Sequence, residues 1–217
     1  MNRTKAIALC AAGSVYLLCS TAFSAGEPPG KPAGAAASGA DAPAYTGDNA
    51  MKLPADYREW MYLSTGFDMS YRPNSQPDHH MFDSVFVNPT AYREFLKTGT
   101  WPDKTVLVLE VRGARDKGSI NQSGHYQDTG VMGLEVHVKD EARFAKEWAF
   151  FVFEGKPLGT LLPSTAECYS CHAAHAAVDT TFVQFYPTLL PLATARGTLS
   201  SAYQADQGAH ASPAPTH

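Results

Sequence analysis

A chain of 217 residues suits one ordinary domain, and its 44% hydrophobic and 11% aromatic content suits a packed core rather than a disordered polymer. A formal charge of −4 without any basic run argues against a nucleic-acid partner.

The first residues stand apart from that core. Arg3 and Lys5 precede a short apolar run from Ala6 to Cys19, and Ala22-Phe23-Ser24-Ala25 offers small residues for cleavage. That anatomy predicts a secretory signal peptide over 1–24 and a periplasmic mature protein. The apolar run is short for a membrane span, and the large Leu18 before Cys19 argues against lipidation there. Cleavage removes two cations and no anions, taking the formal charge from −4 to −6, and leaves Cys168 and Cys171 as the mature cysteines.

Residues 25–50, rich in Gly, Ala and Pro without an apolar period, read as a disordered linker, with the folded domain over 51–195. Leu53 to Trp60 predicts a helical turn. Gly66 to Met81, interrupted by Pro73 and Pro77, reads as a loop carrying His79 and His80. Phe82 to Val87 predicts a strand. Asn88 is then placed as an N-cap, with Pro89 opening a helix to Lys97 that Gly99 ends. Thr105 to Arg112 is the clearest strand: Val106, Val108, Glu110 and Arg112 share one face, and Leu107, Leu109 and Val111 the other. Gly113 to Asp128 reads as a connection. Val131 to Lys139 alternates again, with Leu134, Val136 and Val138 opposed to Glu135, His137 and Lys139. Trp148 to Phe153 is apolar on both faces and predicts an interior strand. Gly155 to Glu167 reads as a loop, 168–177 as a helix, Phe182 to Tyr186 as a closing element, and 196–217 as a disordered tail. The sum is a mainly β (α+β) fold, a curved antiparallel sheet with a few helices.

The chemistry centres on Cys168-Tyr169-Ser170-Cys171-His172. This spacing matches a c-type haem attachment site. Each thiol forms a thioether with one haem vinyl group, and the adjacent imidazole is held as the proximal iron ligand. Export agrees, because bacterial c-type cytochromes receive their haem outside the cytoplasm. A structural zinc site needs about four ligands, and crowding His172 and His175 together with both thiols into one helical turn is awkward. A thiol–disulfide oxidoreductase would place its CxxC after an early strand, not near the end of a β-rich chain.

The other side of the iron decides what one covalently bound haem c does. Histidine or methionine there gives an electron carrier, and an open position gives a ligand site. His79, His80, His125, Met69, Met81 and Met132 are formally available. The histidines lie in Pro-rich or Gly/Ser/Asn-rich loops, where solvated turns are their usual setting, and Met132 beside Gly133 suits packing. His175, three residues after His172, cannot cross to the opposite haem face.

From about Leu53 to Leu192 the chain resembles the cytochrome P-460 family, which includes the cytochromes c-prime-beta. The resemblance rests on Leu53-Pro54 with Tyr57-Arg58-Glu59-Trp60; on Lys97 to Pro102 with the strand Thr105 to Val111; on Gly133-Leu134-Glu135-Val136 with Val138-Lys139-Asp140; and on the haem motif running into Phe182-Val183-Gln184-Phe185-Tyr186-Pro187. It implies an antiparallel β fold, a homodimer, and a five-coordinate haem held by His172. Family members either oxidise hydroxylamine, with a lysine cross-linked to the haem ring, or lack that bond and bind nitric oxide and carbon monoxide in an aromatic-capped pocket. The cross-linking lysine falls on Leu109, with Lys104 as the fallback, and the distal carboxylate falls on Glu135. A carboxyl over the iron suits proton relay; the plainer reading is a polar strand face shared with His137 and Lys139. Phe82, Phe86, Phe150 and Phe151 are candidates to cap the pocket. The expected function is a mono-haem cytochrome binding or transforming nitric oxide or a related small nitrogen ligand. The alternatives are a hydroxylamine-oxidising enzyme and a periplasmic electron carrier with an electron-transfer partner not identifiable from sequence.

Overall fold

The computed structural model describes residues 41–47, 49–71 and 79–210, the side chains of the last two excepted. The expected signal peptide and residues 25–40 of the expected linker lie outside them. Among the described residues, eight strands form one curved antiparallel sheet: β1 (Tyr45–Thr46), β2 (Ala50–Lys52), β3 (Met61–Phe67), β4 (Met81–Val87), β5 (Val106–Arg115), β6 (Tyr126–Lys139), β7 (Trp148–Val152) and β8 (Leu158–Leu161). Their order is β1-β2-β8-β7-β6-β5-β4-β3. The helices are α1 (Pro89–Thr98), α2 (Glu167–His175), α3 (Leu190–Arg196) and α4 (Ser201–His210).

The period-2 pattern of β5 and β6 divides the core. Val106, Val108, Val136 and Val138 face one way, packing with Phe151, Met51, Tyr57 and Trp60. Leu107 and Trp148 face the other, where Val87, the α1 residues Ala91 and Phe95, and Ala177, Val183, Tyr186 and Leu189 close over them. Helices therefore cover this second face. Burying each of these large side chains is worth about 1.5–3 kcal/mol.

Directly paired residues of antiparallel strands point to the same face. On the helix-covered face they form two neighbouring rows: Val87, Leu107, His137 and Phe150, then Val85, Leu109, Glu135 and Val152.

Helix α1 forms as its sequence dictates, with Pro89 in its first turn and Gly99 closing it at φ 77°, its N–H donating to Phe95 O at 2.8 Å. Its cap differs from expectation. Asn88 spends its side chain on Lys104 O and on the Val106 N–H, tying α1 to β5. The capping carboxylate is Asp41, which accepts from Thr90 N at 2.8 Å.

Asp41 belongs to the stretch read as a linker, as do β1 and the first residue of β2, so its described residues take part in the fold. The loop expected over 155–167 contains β8, which the short pattern of one inward Gly159 did not reveal. The expected tail also begins too early. Ser200 accepts from Tyr203 N at 3.0 Å and donates to Ala176 O at 2.6 Å, starting α4 and fastening it beside α2. Tyr203 then packs on the core.

Candidate functional site

Helix α2 places Cys168, Cys171 and His172 on one half-buried side, the spacing that brings residues three and four apart together. Cys168 and Cys171 are not joined to each other by a disulfide, and burial pushes the Cys168 thiol above the usual range. The Phe182-to-Pro187 segment explains why the helix stays there. Gln184 donates from Nε2 to His175 O at 2.8 Å and accepts from Ala177 N at 3.0 Å, satisfying the end of α2. Val183 and Tyr186 are buried beneath it, and the Phe182 ring lies 4.2 Å from His172.

The His172 ring is oriented for ligation. Its Nδ1 lies 2.7 Å from Thr180 O. A carbonyl oxygen only accepts, so the proton sits on Nδ1 and the lone pair of Nε2 is free for a metal. Burial holds His172 below the ordinary histidine range, although the Thr180 bond pulls the other way. Two thiols and one correctly tautomeric imidazole are the donor set of a covalent haem c. Among the described residues, no group of three or more His, Cys, Asp or Glu side chains is placed to hold a bare metal ion.

The sheet face beside α2 supplies the rest. His172 contacts His137 and Phe150 of the first row, with ring centroids at 5.0 and 4.7 Å. One step along the strands, Leu109 and Glu135 are direct partners. Glu135 is exposed by area, yet burial and then the Asp83 charge raise its pKa. Asp83 stands on β4 opposite Val111, on the same face, and burial followed by Asp68 raises it as well. Cys168 feels the Glu135 charge, which places the acid near the thiols.

Several expected residues fall elsewhere. Phe151 lies in the opposite core, and Phe82 and Phe86 pair with Arg112 and Val108 on that same opposite face. Of the four proposed capping aromatics, Phe150 alone is on the α2 face, where it touches His172; Phe182 and Tyr71, 5.9 Å apart, join it. His80 is bonded to Asp68 at 2.5 Å and grouped with Phe67 and His125, and Met132 is 59% exposed. His175 faces Asp206 of α4 at 3.4 Å. Lys104 is engaged by Asp140 and by Asp103 at 3.6 Å. The residue that sequence reasoning missed is His137. It was legible only as part of a polar strand face, but it is buried against His172.

The cytochrome P460 family model matches residues 54–183, more than half of the chain, a span that includes Leu109, Glu135, His137, Cys168, Cys171 and His172. No curated protein matches the sequence.

Proposed function

The chain belongs to the cytochrome P460 family, which carries one covalently bound haem c, and on that premise we propose that it is an exported cytochrome with an open distal site for nitric oxide or a related small nitrogen ligand. Cys168 and Cys171 would hold the haem covalently, and the free Nε2 of His172 would ligate its iron. The haem supplies an iron that binds such ligands and exchanges electrons; the chain's own residues shape access and move protons.

One observation carries this reading. The row beyond His172 consists of Val85, Leu109, Glu135 and Val152. It offers one carboxylic acid among aliphatic side chains, without a histidine, methionine or lysine. Glu135, with its raised pKa, is suited to give or take a proton at a bound ligand. Leu109 stands where a cross-linking lysine would be, and Lys104 is taken up by Asp103 and Asp140. The same Glu135 favours a second reading, oxidation of hydroxylamine, in which it accepts substrate protons.

Electronic spectra of the purified protein in both oxidation states, with and without nitric oxide, test the proposal. A five-coordinate, high-spin spectrum that shifts on adding nitric oxide is expected. A low-spin resting spectrum that is lost on mutating one methionine or histidine would make the protein an electron carrier instead. Tryptic mapping is expected to find the haem on the Cys168–Cys171 peptide alone; a second, lysine-containing haem peptide would restore the cross-linked reading. Export predicts that protein recovered from the periplasm starts after residue 24, and sedimentation of the holoprotein tests the expected homodimer.

A further inference from the structure

We propose that His137 and the Thr180 hydroxyl form a clamp that positions the axial His172. Thr180 makes two bonds in opposite directions. Its carbonyl accepts from His172 Nδ1 at 2.7 Å, and its hydroxyl shares a hydrogen bond with His137 Nε2 at 3.2 Å. The His137 ring cannot drift, because it lies flat on Phe150 at 4.0 Å and 8°, beside Trp148 at 4.5 Å. Only 8% of the residue is exposed.

The turn that presents Thr180 is held from its other end too. Val178 and Thr181 pair across it, and Trp101 Nε1 donates to Thr181 Oγ1 at 2.7 Å. Asp179 between them takes a φ of 51°, a left-handed conformation that non-glycine residues seldom adopt and that persists where the surroundings over-determine it. Three separate elements, β6, the turn before β5 and α2, thus converge on two threonines. The ring contact between His137 and His172 places His137 beside the imidazole that would ligate the iron.

The consequence concerns the strength of the iron–imidazole bond. A ligating histidine that donates firmly from its far nitrogen is a better electron donor at the near one. The carbonyl acts on His172 directly; the hydroxyl and His137 act by keeping that carbonyl in place. His137 and Thr180 are positioning residues. The inference rests on His172 as axial ligand and is independent of which gas the open side accepts.

Resonance Raman of the reduced holoprotein reads the iron–histidine stretch, and redox titration reads the midpoint potential. Thr180→Val removes the hydroxyl and keeps the carbonyl. It is expected to lower and broaden the stretch and to raise the potential. Thr180→Ser restores the hydroxyl and should return both to the wild-type values. His137→Phe keeps the stack on Phe150 and should reproduce the Thr180→Val shift, with the double variant adding little to either single one. An unshifted stretch and potential in Thr180→Val, in a protein that carries its haem, would overturn the clamp even if His137→Phe failed to fold. Absence of any iron–histidine stretch in the wild type would instead remove His172 as the axial ligand.

Discussion

Two glutamates on adjacent strands show how differently one sheet treats the same side chain. Glu110 of β5 and Glu135 of β6 lie on opposite faces, Glu135 directly across from Leu109, the neighbour of Glu110. Glu110 is 4% exposed and surrounded by donors: the Tyr57 hydroxyl, Arg58 at 2.6 Å, and Arg112 Nε. Burial pushes its carboxyl up, but the Arg112 and Tyr57 hydrogen bonds and the two guanidinium charges outweigh this and hold it below its ordinary value. Glu135 has no ion-pair partner among the described residues, and burial together with Asp83 raises it. A carboxylate given cations and donors locks elements together, here the three-ten turn Tyr57–Glu59 onto β5. One denied them is held above its ordinary value by burial and a neighbouring carboxylate, and so takes up a proton more readily.

The comparison breaks first at Glu110. Glu110→Gln leaves two arginines facing an uncharged amide, and should cost about 3 kcal/mol in urea unfolding. The pH dependence has a definite sign. Because the folded carboxyl lies below its unfolded value, its contribution is present above the unfolded pKa and is lost as pH falls through the folded one. The variant should therefore lose part of the acid-side decline in stability. A Glu110→Gln protein within about 0.5 kcal/mol of wild type would place it among ordinary surface residues.

Glu135→Gln should do the reverse. If the protein turns over a nitrogen ligand as in the second reading, that rate should fall on the order of 100-fold, the lower range for a lost general acid or base, while unfolding stays within about 0.5 kcal/mol. The raised pKa gives a contribution that is present at low pH and fades as pH rises from the unfolded to the folded value, so the variant should lack that fade. A pH–rate profile and urea unfolding at several pH values measure both; unchanged turnover with weakened folding would make Glu135 structural.

A third carboxylate sets an intermediate scale. Asp41 has backbone and hydroxyl donors rather than cations, accepting from Thr90 N and Thr90 Oγ1. Asp41→Ala should cost about 1 kcal/mol, the value of a helix cap, by thermal or urea unfolding. The smallest effect is expected from Leu109→Lys, which puts a cation directly across from Glu135 and makes it resemble Glu110. Glu135 should then titrate lower, with a stability change of about 0.5 kcal/mol, typical of a cross-strand ion pair. Carboxyl carbon chemical shifts followed against pH would detect the movement, and an unmoved Glu135 would show that the two side chains do not meet.

Strand alternation in β5 and β6, the Pro89-to-Gly99 limits of α1 and the Cys168-to-His172 spacing were all legible because each is a local rule. Alternation was also enough to separate Phe150 from Phe151, and grouping them as one cap ignored it: neighbours in a strand point to opposite faces. Other features left no local signal. Asp41 caps a helix that begins 48 residues later, β8 is four residues long, and α4 depends on Ser200 reaching back to Ala176. His137 and Lys139 read as part of a polar strand face, but they are 8% and 1% exposed: His137 packs on Phe150 and His172, and Lys139 Nζ donates to Trp101 O at 3.1 Å.

By itself the sequence determined the donor set of the candidate site: two thiols and an imidazole at a spacing suited to haem capture wherever the helix lies, since that spacing is set by the helix itself. Only the tertiary structure decided what surrounds it. Which strand face is dry, which glutamate meets cations, and which histidine stands behind His172 are settled by residues far apart in the chain, and burial and charge act through space rather than along it.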